Sequence, residues 1–165
     1  MSFGSSDHRV SFRALALLLL CQLLAACASL KMDLPAEFLT LKDGPEHRAV
    51  TAQDARVWSR EFAEDNHATL DFWAATLRND LVEQRGYTIV AEGEATDGEG
   101  HAGRWFECRA TVEGERYGHL VAVFSFDRGL FKKRHRVRTV QFTAREEDFV
   151  RLLPDVKAAL GTLRR

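Results

Sequence analysis

Three thiols, Cys21, Cys27 and Cys108, are the chain's simplest candidates for chemistry, and only one of them stands in a setting that asks for it. Cys27 follows Leu24, Ala25 and Ala26: a large aliphatic residue, then two small ones suited to a peptidase subsite. Cys21 lacks this context, because Leu18, Leu19 and Leu20 put bulk where small residues belong. Cys108 alternates with Phe106 and Ala110 and reads as a small buried hydrophobe. A reactive thiol needs an electropositive, accessible site, and the neighbouring Arg109 belongs to the opposite face.

Other chemistry is harder to find. His8 lies in the N-terminal segment, while His47, His67, His101, His119 and His135 fall in different elements. None sits at i, i+4 around a carboxylate and none is near a second Cys, so no metal site is expected. The chain lacks G-x-S-x-G, H-E-x-x-H, a Walker-type loop and G-x-G-x-x-G. No catalytic residue and no cofactor are therefore assigned. Glu146-Glu147 falls at a helix start, where negative charge complements the dipole.

The most uneven charge is "FKKRHRVR", with Lys132, Lys133, Arg134 and Arg136 close together. A solvated hairpin tip that discourages edge pairing is one reading. Contact with an anionic envelope polymer or lipid phosphate is the other, worth ~1 kcal/mol per cation near such a surface. The net charge of −1 gives no electrostatic reason to expect nucleic acid.

The elements that must carry these residues begin with the N-terminus. Met1–Arg13 is polar, with Arg9 and Arg13 as fixed positive charges, and Ala14–Ala26 is Leu-rich and uncharged. That run fits the ~7–15 residues of a signal-peptide apolar region and falls short of the ~20 needed to span a bilayer. Leu24-Ala25-Ala26-Cys27 resembles the lipobox of bacterial lipoproteins. The resemblance implies cleavage between Ala26 and Cys27, with Cys27 carrying the lipid (palmitate-type acyl chains) as the new first residue. Two or three acyl chains would anchor the chain stably, at ~0.8 kcal/mol per buried CH₂. A plain secretory signal cut after an A-x-A-like site is the alternative. Ala28, in place of the Asp that resembles an inner-membrane retention signal, points to the outer membrane, facing the periplasm. With Cys27 blocked, Cys108 has no disulfide partner.

The organisation expected is a signal peptide over 1–26, a lipidated tether over 27–33 and a single domain over 34–165. A composition of 45% hydrophobic and 28% charged residues suits a globular domain. A short strand near Phe38–Leu41, a turn at Asp43-Gly44-Pro45 and a return over His47–Thr51 open it. The stretch 55–62 follows, its burial ambiguous. Leu70, Trp73, Leu77 and Leu81 share one helical face, with Asp65 or Asn66 as cap, Gly86 at the end and Trp73 in the apolar stripe. Tyr87–Glu92 supplies a strand, and "EGEATDGEGHAG" reads as a solvated loop. "RWFECRATV", "HLVAVFSF" and "RVRTVQFTA" alternate as an antiparallel meander. A helix follows with Thr143 and Glu146 at capping-box spacing, Pro154 breaking or kinking its Phe149–Leu163 stripe.

The order βββ-α-ββββ-α predicts an α+β domain: a largely antiparallel sheet of six to seven strands covered by two main helices. This order, through "LPAEF", "DARVWSREF", "LDFWAATLRNDLVEQRGYTIV", "GRWFECRATVEGERYGHLVAVFSF" and "FTAREEDFVRLLPDVKAALGTL", resembles the PsbP-like sandwich. That fold is shared by a photosystem II extrinsic subunit, a Ran-binding transport factor and lipoproteins of the DcrB type. The resemblance implies an accessory binding module without a common catalytic centre, and no functional residue carries over. The function expected is that of a membrane-anchored, non-enzymatic envelope lipoprotein. Its partners would be the membrane, through the lipid, and an envelope protein or anionic polymer. An envelope hydrolase or small-ligand-binding protein with a dispersed site is the alternative; oligomeric state is left open.

Overall fold

The computed structural model describes residues 29–41, 44–129 and 134–165. Ala26, Cys27, Lys132 and Lys133 lie outside them. Seven strands form one antiparallel sheet: β1 (Leu39–Leu41), β2 (His47–Val50), β3 (Arg56–Ala63), β4 (Thr88–Thr96), β5 (Ala102–Val112), β6 (Glu115–Arg128) and β7 (Arg134–Arg145), in spatial order β1-β2-β3-β7-β6-β5-β4. Helix α1 (Leu70–Asn79), continued by a π-helical turn over Asp80–Gln84, connects β3 to β4, and α2 (Glu146–Leu160) follows β7. The order of elements is the one expected from the sequence.

The architecture corrects the expected α+β PsbP-like sandwich. The molecule is mostly one antiparallel sheet, with a single helix on each face. Strand β6 explains this. Gly118 through Phe124 are all buried, so both faces of this central strand need cover, and a single helix can serve only one. On one face Leu120, Ala122, Phe124, Val140 and Phe142 pack beneath Phe149, Leu152, Val156 and Leu160 of α2. On the other, Phe106, Cys108 and Val121 pack beneath Leu81, with Ala74 and Leu77 of α1 partly buried beside them. Trp73 is only half-buried, edge-on to Phe62 at 5.9 Å.

Local expectations shift for physical reasons. Pro154 stays inside an unbroken α2, because it sits on the solvent side near exposed Val150, where a carbonyl without its partner N–H meets water. No capping box forms: β7 runs straight into α2, Arg145 is the N-cap without a side-chain bond, and Thr143 instead meets His119 Nδ1 at 2.6 Å. Thr69, not Asp65 or Asn66, caps α1 by accepting from Phe72 N–H. Gly86 ends that helical segment at φ +66°, as expected. The stretch read as a solvated loop is the β4–β5 hairpin: β4 continues to Thr96, and Asp97 is buried.

The segment 29–33, expected within a free tether, docks on the domain from Leu30 onward. Leu30 and Met32 are buried, and Lys31 pairs with Arg164 through two backbone hydrogen bonds of 2.8 and 3.0 Å. One end of the sheet thereby gathers the start of the described chain, the C-terminus, the β1–β2 turn, the β4–β5 turn and the β6–β7 hairpin. Leu30 N–H bonds Pro45 O, and Gly98 N–H bonds Leu163 O. Among the described residues no helix is long and apolar enough to cross a membrane.

Candidate functional site

Two polar clusters occupy this gathered end, one on each face of the sheet. The first starts in the loop between β3 and α1. The Glu64 carboxylate accepts from the N–H groups of Asn66 (2.6 Å) and Ala68 (2.8 Å), folding the loop back on itself. Burial opposes ionisation of Glu64, but those two N–H bonds outweigh it and hold its pKa below the usual range. The fold places His67 in the left-handed region at φ +51°, an uncommon conformation for a non-glycine residue. Ala68 then points its carbonyl at the sheet.

Facing that carbonyl are Ser125 and Asp127 of β6 and His135 of β7. Asp127 is paired directly with His135, so the two side chains stand on the same face. His135 Nδ1 lies 2.9 Å from Asp127 Oδ1, and its Nε2 lies 2.9 Å from Ser125 Oγ and 3.0 Å from Ala68 O. Ser125 Oγ donates to Ala68 O at 3.2 Å. The His67 ring is 5.5 Å from the His135 ring.

Ser125, His135 and Asp127 have the spacing of a hydrolytic triad. The Ala68 carbonyl decides against that chemistry. A carbonyl only accepts, so Nε2 must present its N–H there, and a protonated Nε2 cannot take the Ser125 proton. Nδ1 and the Asp127 carboxylate, both acceptors in that tautomer, then require a positive charge between them. A proton fits, and so does a metal ion. His67, Asp127 and His135 each offer one ligand atom, all within 4.8 Å of one another.

The second cluster centres on Arg138, which is 0% exposed. Its guanidinium donates to Asp97 (2.5 Å), Glu61 (2.7 Å), Glu99 (2.7 Å) and the Leu163 carbonyl (3.4 Å), and lies 5.0 Å from the Phe126 ring. Glu61 also meets Arg128, Arg136 and Arg165. Burial opposes ionisation of both Glu61 and Arg138; hydrogen bonds from Arg138 outweigh it for Glu61 and lower its pKa, and hydrogen bonds to Glu99 and then Glu61 raise that of Arg138. Asp97, Glu99 and His101 form another metal-capable trio, but arginines already neutralise its carboxylates. This cluster is structural: it ties β3, β4–β5, β7 and the C-terminus together.

Neither cluster was found from the sequence, although one signal was there. Arg136, Arg138, Val140 and Phe142 alternate on one face of a central strand, and a cation on an apolar face demands a counter-charge. Of the four hairpin cations, the two described ones, Arg134 and Arg136, do not act alike. Arg134 is exposed, whereas Arg136 Nε donates to Glu61 at 3.1 Å. Cys108 is 0% exposed, and burial pushes its thiol up to about 11, the opposite of a reactive cysteine. His119 is buried neutral, its pKa lowered to about 4 by burial and then by nearby Arg85.

No family model and no curated protein matches this chain. The fold is shared with LpqN. That crystal structure, of a protein involved in cell envelope biogenesis of Mycobacterium tuberculosis, superposes with a TM-score of 0.63 over 82% of this chain and 83% of LpqN, at 13% identity. A protein of unknown function from Pseudomonas aeruginosa, PA94, aligns with a TM-score of 0.51 over 84% of this chain and 98% of its own, at 16% identity. Likeness at such identities describes architecture.

Proposed function

We propose that this chain is a bacterial envelope lipoprotein, anchored through Cys27, whose domain rests its hairpin end on the membrane and serves as a non-enzymatic accessory module. The observation that carries the reading is the docking of Leu30–Asp33. Only Ala28 and Ser29 separate Cys27 from buried Leu30, so a lipid on Cys27 leaves no slack for the domain to float away. The same end carries exposed Arg134, flanked in sequence by Lys132 and Lys133, and the exposed Leu41 beside the β1–β2 turn. Two acyl chains supply the anchoring energy, and cations near lipid phosphate add ~1 kcal/mol each, enough to orient an anchored domain. Kinship of fold with LpqN, a protein of cell envelope biogenesis, supports the compartment. An outer-membrane position facing the periplasm follows from Ala28. The Ser125–His135–Asp127 alignment does not favour the hydrolase alternative, because its base nitrogen faces the Ala68 carbonyl at 3.0 Å.

Fractionation of cells producing the wild-type chain and Cys27→Ala tests this. The wild type should pellet with membranes and take up labelled fatty acid, and the variant should do neither. A variant that still pellets and still labels overturns the anchor. Replacing Lys132, Lys133 and Arg134 by Ser should weaken binding of the unlipidated chain to anionic vesicles at low salt; unchanged binding removes the basic tip from the account.

A further inference from the structure

We propose that His67, Asp127 and His135 form a divalent-cation site, and that zinc is the ion their chemistry suits. Two imidazoles and one carboxylate are borderline-soft nitrogen and oxygen donors, the set used by three-ligand zinc centres that keep a fourth position open.

His135 is already oriented as a metal ligand. A histidine that ligates a metal almost always donates its other ring N–H to a carbonyl or carboxylate, which fixes the tautomer. Ala68 O, 3.0 Å from Nε2, is such an acceptor, and it leaves Nδ1 as the ligating nitrogen. Nδ1 already faces Asp127 Oδ1 at 2.9 Å. In a tetrahedral zinc site neighbouring ligand atoms stand about 3.3 Å apart, given metal–ligand bonds of about 2.0 Å. A cation can therefore replace the proton between these two atoms with little movement. His67 completes the set from the facing loop. Its left-handed backbone brings the ring to within 5.5 Å of His135, and its exposed side chain is free to rotate inward. The surroundings hold this frame in place: Glu64 fixes the loop through Asn66 and Ala68, Glu64 N–H bonds the His135 carbonyl at 3.0 Å, and Ser125 shares the Ala68 carbonyl. The Asp97–Glu99–His101 trio across the sheet is already engaged. Its carboxylates are bound by Arg138 and Arg128, which leaves no net negative charge to attract a cation.

The three residues stand at the end of the domain assigned to the membrane, although the site needs no anchor. The full chain, stripped with chelator, is titrated calorimetrically with zinc chloride, and separately with cobalt(II) chloride while the visible spectrum is recorded. One equivalent should bind, with a cobalt band of four-coordinate intensity. His67→Ala and Asp127→Asn, both at exposed positions and checked for folding by circular dichroism, should each weaken zinc binding tenfold or more. Glu99→Gln should leave it unchanged. Absence of binding at millimolar metal overturns the proposal. So does binding that survives His67→Ala and Asp127→Asn, since the ion then sits elsewhere.

Discussion

His119 offers a sharp test of how the second face of the sheet is packed. The imidazole is 6% exposed, with Nδ1 bonded to Thr143 Oγ1, Nε2 making no hydrogen bond among the described residues, and the Tyr87 ring 5.5 Å away. Burial, reinforced by Arg85, lowers its pKa from 6.5 to about 4. In the unfolded chain His119 returns to about 6.5, so between pH 6.5 and 4 the unfolded state binds the extra proton. Stability must then fall as pH falls through that window, and the contribution is fully present only above it. A difference of about 2.5 units at 1.36 kcal/mol each corresponds to about 3 kcal/mol. This is a large share of the 5–15 kcal/mol typical of a domain. Urea unfolding of the wild type and of His119→Phe at pH 7 and pH 4 isolates the effect, because the acidic groups are common to both. The wild type should lose about 3 kcal/mol more than the variant across that interval. Equal losses would show that His119 is not buried neutral, and the packing of Tyr87 and Arg85 around it would need revision.

Removing the cation from the Arg138 cluster takes the arginine from buried Asp97, while Glu61 keeps its other arginines, so Arg138→Met should destabilise the domain by about 3–5 kcal/mol in urea unfolding. A cost below about 1 kcal/mol would mean that Asp97 is solvated. Gly118 lies under the Phe149 ring, and a Cβ there would meet ring atoms at 2.0–2.5 Å, so Gly118→Ala should cost about 1–3 kcal/mol or more. An unchanged melting temperature would place α2 farther from β6.

How much of this was legible depends on the range of the interactions involved. Strand alternation such as Leu120, Ala122, Phe124 and Phe126 is local, and it located β5, β6, β7 and their meander. The two-sided burial of β6 was also visible, with Val121 and Val123 opposite those residues, but alternation within a strand does not say which helix covers which face. Pro154 misled because the cost of a proline depends on where the freed carbonyl points, and it points to water. The polar clusters were hidden for a different reason. His67 and His135 are separated by a helix and three strands, and Asp97 sits in a Gly-rich stretch that resembles solvent-exposed loop. Only the antiparallel register brings Asp127 beside His135 and Arg138 beside Glu61. Sequence spacing carries no trace of that pairing.

The lipid anchor on Cys27 is tested most directly at the mature N-terminus. Mass spectrometry of the N-terminal peptide from protein extracted from native membranes should find Cys27 as the first residue, carrying a diacylglyceryl group and its acyl chains. A peptide beginning elsewhere, or an unmodified Cys27, would contradict the account and return the segment to a plain secretory signal.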